Sequence, residues 1–171
     1  MKIFSKSINA GFLADAHGHR GKQFSKDQKP NRSFHIAWQD VPESTASLAL
    51  VFIDHDAIPV CNFSWIHWTV ANIDPKLQEL PENASVEMSL LEGVTSWHSR
   101  LLPEGGRLSK EAATGYGGSA PPDKPHRYTI EMYALDKELN LTRGFYLNEL
   151  MKAMEGHILE KTTLHAIYNT K

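Results

Sequence analysis

The sequence predicts a mainly β protein, a β-rich α+β fold built on an antiparallel sheet, and three observations carry that expectation. Residues 48–53, Leu-Ala-Leu-Val-Phe-Ile, are apolar at every position, the pattern of a strand covered on both faces. Segments 34–38, 64–73 and 127–135 are short and rich in aromatic and β-branched residues, as half-buried strands are. A helical period appears only once, late in the chain. Strands followed by a single late helix do not make a βαβ repeat, so the sheet is expected to be mainly antiparallel.

In chain order, 18–32 is polar and reads as a loop ending near Ser33. The strand at 34–38 is closed by Val41-Pro42-Glu43, 48–53 is the buried strand, and 64–73 is the third. Residues 103–125 hold five glycines and four prolines, too broken for a regular element and long for an idle loop. After the strand at 127–135, Leu147, Leu150, Met151, Met154 and Ile158 fall on one face of an amphipathic helix. Its Met151/Met154 stripe is expected to pack on the core, and Gly156 weakens its end. Residues 163–168 alternate and predict a last strand.

A chain of 171 residues can bury roughly 70% of its unfolded surface in one domain, and no repeat or composition break divides it, so a single domain over 1–171 is expected. With 41% apolar and 22% charged residues it has the composition of a globular protein. A net charge of −2 supplies no basic field for a phosphate backbone, which argues against nucleic acid as partner. No apolar stretch approaches the ~20 residues that cross a bilayer. Residues 1–7 show no apolar leader pattern, so no secretory signal is expected. The single cysteine, Cys61, cannot close an internal disulfide, which suits a reducing cytoplasmic location.

The chemistry gathers where strands end. Side chains two apart on a strand share a face. Asp54 with Asp56, Trp65 with His67, and His126 with Tyr128 form three such pairs, each beside a loop. A carboxylate beside an imidazole favours the doubly donating histidine. Two histidines and a tyrosine hydroxyl then suit one bound anion, with Gly117 and Gly118 amides as further donors and Trp65 as a dry wall. Taken singly, the aspartates equally fit a strand-ending turn, His67 a core histidine and Tyr128 sheet packing. Asp15, His17 and His19 alternate like metal ligands but lie in a polar loop, and no metal is expected. Cys61 has no surroundings that mark a lowered thiol pKa, and the glycine-rich stretch lacks the Lys-Ser/Thr of a phosphate loop.

"DHDA", "WIHW" and "GYGGSAPPDKPHRY", in that order, resemble the motifs of the phosphatidylethanolamine-binding protein family, which includes the Raf-kinase-inhibitor-like proteins. The likeness covers about residues 33–134 and is strongest to the bacterial branch. His55 stands where the family has proline between the aspartates, Ile58 and Ser119 replace further motif prolines, and Phe34 replaces the proline of a Ser-Pro. The resemblance implies a large central antiparallel sheet flanked by a smaller sheet and a C-terminal helix. It further implies a surface pocket for a phosphate-like anion or phosphorylethanolamine headgroup. Matched residue by residue, that pocket comprises Asp54, Asp56, Trp65, His67, Gly117, Gly118, Pro121, Pro122, His126 and Tyr128. The expected protein is a non-catalytic binding module without cofactor or catalytic residue, and a homodimer. Two other readings stay open: inhibition of a protein partner such as a kinase or protease, and weak phosphoester hydrolysis by the Asp/His cluster.

Overall fold

Leu48 to Ile53 cannot expose either face, and the layers of the fold follow from covering both. The computed structural model describes residues 1–103 and 105–170. In it the buried run is the centre of an eight-residue strand, Ser47–Asp54, with every residue buried. The strands in order are β1 (Lys2–Phe4), β2 (Ile8–Asn9), β3 (Phe12–Leu13), β4 (Ile36–Gln39), β5 (Ser47–Asp54), β6 (Trp65–Ile73), β7 (Glu79–Leu80), β8 (Leu91–Glu92), β9 (His126–Leu135) and β10 (Ile158–Tyr168). Short helices α1 (Ile58–Cys61), α2 (Ala84–Glu87) and α3 (Lys110–Ala113) punctuate the loops, and α4 (Leu147–Met154) precedes the last strand.

Seven strands form the large sheet in the order β2-β3-β10-β9-β5-β6-β8, and β1-β4-β7 form the smaller one. The large sheet is antiparallel except where β3 runs parallel to β10. Alternation divides β5 between two cores. Leu48, Leu50 and Phe52 pack toward Ile36, Trp38 and Leu80 of the small sheet. Ala49, Val51 and Ile53 pack toward Leu150 and Met154 of α4. A central sheet with a small sheet on one face and a helix on the other is therefore what the resemblance implied. Among the described residues no helix is long and apolar enough to cross a membrane.

Two bulges interrupt the β5–β6 register. Leu48 faces Ile73 while Leu50 faces Val70, and Asn72 within the extra residue adopts φ +54°. The second lies at the functional end, where Phe52 faces Trp68 but Ile53 faces Ile66. His67 is the extra residue there. A bulge sets two successive side chains on one side of the sheet, so His67 and Trp68 both contact the Phe52 side. The His67 and Phe52 ring centres are 5.4 Å apart.

The helix and last strand depart from expectation. Leu150 and Met154 are buried, but Met151 is 41% exposed and does not share the core stripe. Gly156, at φ +76°, reverses the chain after α4, which places Ile158 in the strand that follows rather than on the helix. β10 begins five residues before the alternation at 163–168, because it pairs with β9 along its length while one face stays wet. Its outer residues Lys161 and Thr163 hide the pattern. Phe34 is buried against Phe52, Trp68 and Tyr116 but pairs with no strand, so β4 starts two residues later than expected.

Phe52 joins the core to the site, touching Phe34, Tyr116, Tyr128 and His67. Phe52→Ala is expected to lower unfolding free energy by about 3–5 kcal/mol in denaturant melts, with the larger values if the rings cannot close the space.

Candidate functional site

The ends of β5, β6 and β9 meet on one rung. Asp54 pairs with Trp65 on one side and Tyr128 on the other, and His126 lies two residues before Tyr128, at the start of β9. The polar end of the inner core is thus built by register alone. These side chains line a cavity of about 150 Å³ with Ala57, Val60 and Cys61 of the α1 segment, Trp97, and Ala120, Pro121 and Pro122. Trp65 and Trp97 meet edge to face at 5.7 Å and make its aromatic corner.

Asp54 is only 3% exposed, and a carboxylate so placed requires partners. Its Oδ2 accepts from His126 Nδ1 at 2.7 Å, and its Oδ1 accepts from the Ala57 amide at 3.2 Å. His126 Nε2 donates to Asp123 Oδ1 at 2.8 Å. Both ring nitrogens face carboxylates and both carry protons. Burial opposes that charge, but the hydrogen bonds from Asp54 and Asp123 outweigh it and raise the His126 pKa. The same bond to His126 lowers the Asp123 carboxyl.

His67 behaves in the opposite way. Its Nδ1 donates to the Gly117 carbonyl at 2.6 Å. Full burial, only partly opposed by that bond and by Asp54, lowers its pKa to about 4. It is neutral at physiological pH, with Nε2 left as an acceptor. The expectation of two histidines donating to one anion therefore changes: His126 is the cation and His67 is not a second one.

Among the described residues, two buried donors on the lining have no acceptor, the Tyr128 hydroxyl and Trp97 Nε1. Burial, and the negative charge of Asp54, hold the Tyr128 hydroxyl protonated. The site therefore presents two unspent neutral donors beside one imidazolium.

Seven of the ten residues expected from sequence line this cavity: Asp54, Trp65, His67, Pro121, Pro122, His126 and Tyr128. The other three do not. β5 ends at Asp54, so the two-residue alternation does not carry to Asp56, whose Oδ2 accepts from the Arg127 amide at 2.9 Å and ties the turn to β9. The Gly117 amide donates to the His67 carbonyl and the Gly118 amide to that of Pro30, both at 2.8 Å, so neither is free for an anion. Gly117 is required for space instead, since a Cβ there would lie 2.7 Å from the Trp97 ring. His55 faces out and bonds to Ser64, and His17 is spent on Arg32 and Glu82. The Cys61 thiol donates to the carbonyls of Ala57 and Phe63. Asp123 and Trp97 were not anticipated. Asp123, three residues before His126, was the legible one, because a carboxylate at that spacing can fold back onto the imidazole.

Comparison with known proteins places the fold in a family. The family model described as phosphatidylethanolamine-binding protein matches residues 9–169. The chain belongs to the phosphatidylethanolamine-binding protein family. It is similar to YxkA, an uncharacterized protein of Bacillus subtilis (strain 168), with 47% identity over 159 residues, 91% of this chain and 93% of the relative. YbhB of Escherichia coli (strain K12) is 32% identical over 141 residues, 81% and 80% of the two chains. A crystal structure of a phosphatidylethanolamine-binding protein homologue from Chlamydia trachomatis superposes with a TM-score of 0.79 at 27% identity. That match covers 99% of this chain and 97% of the other. Family membership accounts for the central sheet, the small sheet and the binding-module architecture.

The neutral His67 has a consequence for acid stability. Its folded pKa lies below the unfolded value, so the unfolded chain binds the extra proton and stability falls as pH drops from about 6.5 toward 4. His126, whose folded pKa is raised, acts in the opposite sense as pH falls through the ordinary histidine range. Because both proteins carry it, its contribution cancels in a comparison with a His67 variant. Melting curves from pH 7 to 4.5 are expected to lose about 2–3 kcal/mol less in His67→Gln than in the wild type. Equal slopes in the two proteins would rule out a neutral buried His67.

Proposed function

We propose that the protein is a non-catalytic binding module whose cavity takes the phosphate-like end of a small ligand, with phosphorylethanolamine as the representative headgroup. One observation carries this reading. The Asp123 carboxylate, on an exposed loop with its side chain 48% accessible, lies 2.8 Å from Nε2 of a buried imidazolium. The position before His126 thus already holds an anionic oxygen, supplied by the chain itself and replaceable from solvent.

A ligand oxygen that takes Asp123's place accepts from His126 and lies in a cavity whose Tyr128 and Trp97 donors lack acceptors among the described residues. The apolar lining from Ala57, Val60 and the two prolines keeps water out, which strengthens each of these bonds. A volume of about 150 Å³ suits a headgroup rather than an acyl chain. A zwitterion has a further advantage over bare phosphate, because its ammonium gives the displaced Asp123 a new partner. Chemistry on the ligand has less support. His67 is too weak a base near neutral pH, and the Cys61 thiol is engaged with backbone carbonyls.

Titration monitored by histidine side-chain NMR is expected to show saturable binding of phosphorylethanolamine and weaker binding of inorganic phosphate, both centred on His126 and Tyr128. Asp123→Asn removes the internal competitor and is expected to tighten phosphate binding about three- to tenfold while erasing the preference for the zwitterion. His126→Gln is expected to abolish both. No saturation at tens of millimolar ligand in either wild type or Asp123→Asn would overturn the reading.

A further inference from the structure

On the far side of Gly117 from this site, a second cavity encloses a lysine that the pocket does not use. Lys29 ends a tight turn. The Ser25 amide donates to the Lys29 carbonyl at 2.8 Å, the Ser25 hydroxyl accepts from the Asp27 and Lys29 amides, and Gln28 adopts φ +61°. The turn directs the side chain inward beside Gly117, and the residue is only 3% exposed. Its Nζ makes one hydrogen bond, to the Thr114 carbonyl at 3.3 Å, and no ion pair among the described residues. Glu92 is the carboxylate that most favours its charge, but the Glu92 oxygens are already taken by Trp68, Ser85 and Arg143.

An ammonium needs three acceptors, and this one has a single long contact. An aliphatic side chain would fill the same space without the desolvation penalty, so packing does not explain a lysine here. Burial lowers its pKa to about 8; Glu92 and Asp27 oppose the shift and Arg143 adds to it. The group opens on a cavity of about 400 Å³ lined by Ser25, Ser85, Ser109 and Thr114 hydroxyls and by Asn31. Lys26 and Arg143 on that lining offset Asp27 and Glu111, so the space is polar without a dominant charge. Asn31 Oδ1 is buried and has no donor among the described residues.

We propose that Lys29 is a reversible covalent capture site for small hydroxy-aldehydes. The neutral Nζ attacks the carbonyl carbon and forms a C–N bond, and a proton passes from nitrogen to the former carbonyl oxygen. The resulting carbinolamine loses water and leaves a C=N bond, with no oxidant or reductant required. A ligand hydroxyl supplies the donor that Asn31 Oδ1 lacks, which selects hydroxylated aldehydes over hydrocarbon ones. The inference is independent of the anion pocket, with which this cavity shares no lining residue.

The test treats the full-length protein with glyceraldehyde and cyanoborohydride at pH 7.5 and maps the adduct by peptide mass spectrometry. A pKa near 8 gives on the order of a hundredfold more free amine than an ordinary lysine, partly offset by lower basicity. Lys29 is expected to label on the order of tenfold faster than any exposed lysine, with a pH midpoint near 8. Lys29→Met should lose that adduct. Asn31→Ala keeps the amine and should reduce the preference for glyceraldehyde over propanal, a readout that stands if the methionine variant does not fold. Labelling spread over exposed lysines with none enriched at Lys29, or a midpoint in the ordinary lysine range, would overturn the proposal. An unchanged glyceraldehyde preference in Asn31→Ala would overturn the selectivity for hydroxy-aldehydes.

Discussion

The structure depends on a strand that has no wet face. Because all eight residues of β5 are buried, the sheet it centres must be covered on both sides, and the small sheet and α4 are the two covers. The same constraint creates the site. Where β5 ends, its first acidic residue is still inside, and a buried carboxylate persists only if it is bonded. Asp54 meets this need through His126, delivered from the neighbouring strand two residues beyond the rung it shares with Tyr128. The pocket is thus the place where the most apolar strand of the chain first turns polar.

From that pair the electrostatics propagate outward. Asp54 makes His126 an imidazolium, and the imidazolium holds the exposed Asp123 carboxylate on its far nitrogen. Asp54 also favours charge on His67, but complete burial dominates and the Gly117 carbonyl fixes the neutral tautomer. Two histidines within one cavity therefore hold opposite protonation states for reasons that are local and separable. His126 has two carboxylates; His67 has a carbonyl and hydrocarbon. A bulge of one residue is what lets both reach the same side of the sheet, since regular alternation would set His67 and Trp68 on opposite faces.

Several buried polar groups elsewhere follow the same accounting, and Lys29 does not. Glu92 is saturated by Trp68, Ser85 and Arg143, and His35 by the Lys6 amide and Glu79. Tyr116 reaches the His17 carbonyl. Lys29 is buried to a similar degree and remains under-bonded among the described residues, beside an asparagine oxygen in the same condition. Two of the cavities thus hold unspent hydrogen-bonding capacity of different kinds: donors and a cation in the smaller, mostly apolar one, and an amine with an acceptor in the larger, polar one.

The sequence by itself determined the elements whose burial is uniform or regularly alternating. The run at 48–53, the aromatic strand at 64–73 and the strand before Leu135 needed no partner to be legible, because their composition satisfies only one kind of environment. The three motifs likewise marked seven of the cavity residues, since chemistry that must sit at strand ends is written at strand ends. What the tertiary structure alone decided were matters of pairing. β10 is long because β9 is beside it, not because residues 158–162 look like a strand. Asp56, Gly117 and Gly118 stand next to site residues in sequence, yet their bonds go to the backbone of Arg127, His67 and Pro30. The charge on each histidine depends on what surrounds it from distant segments, and Trp97 enters the site through a loop whose path no local pattern encodes. Residue types state what a position can do; only the neighbours brought by the fold decide whether that capacity is already spent.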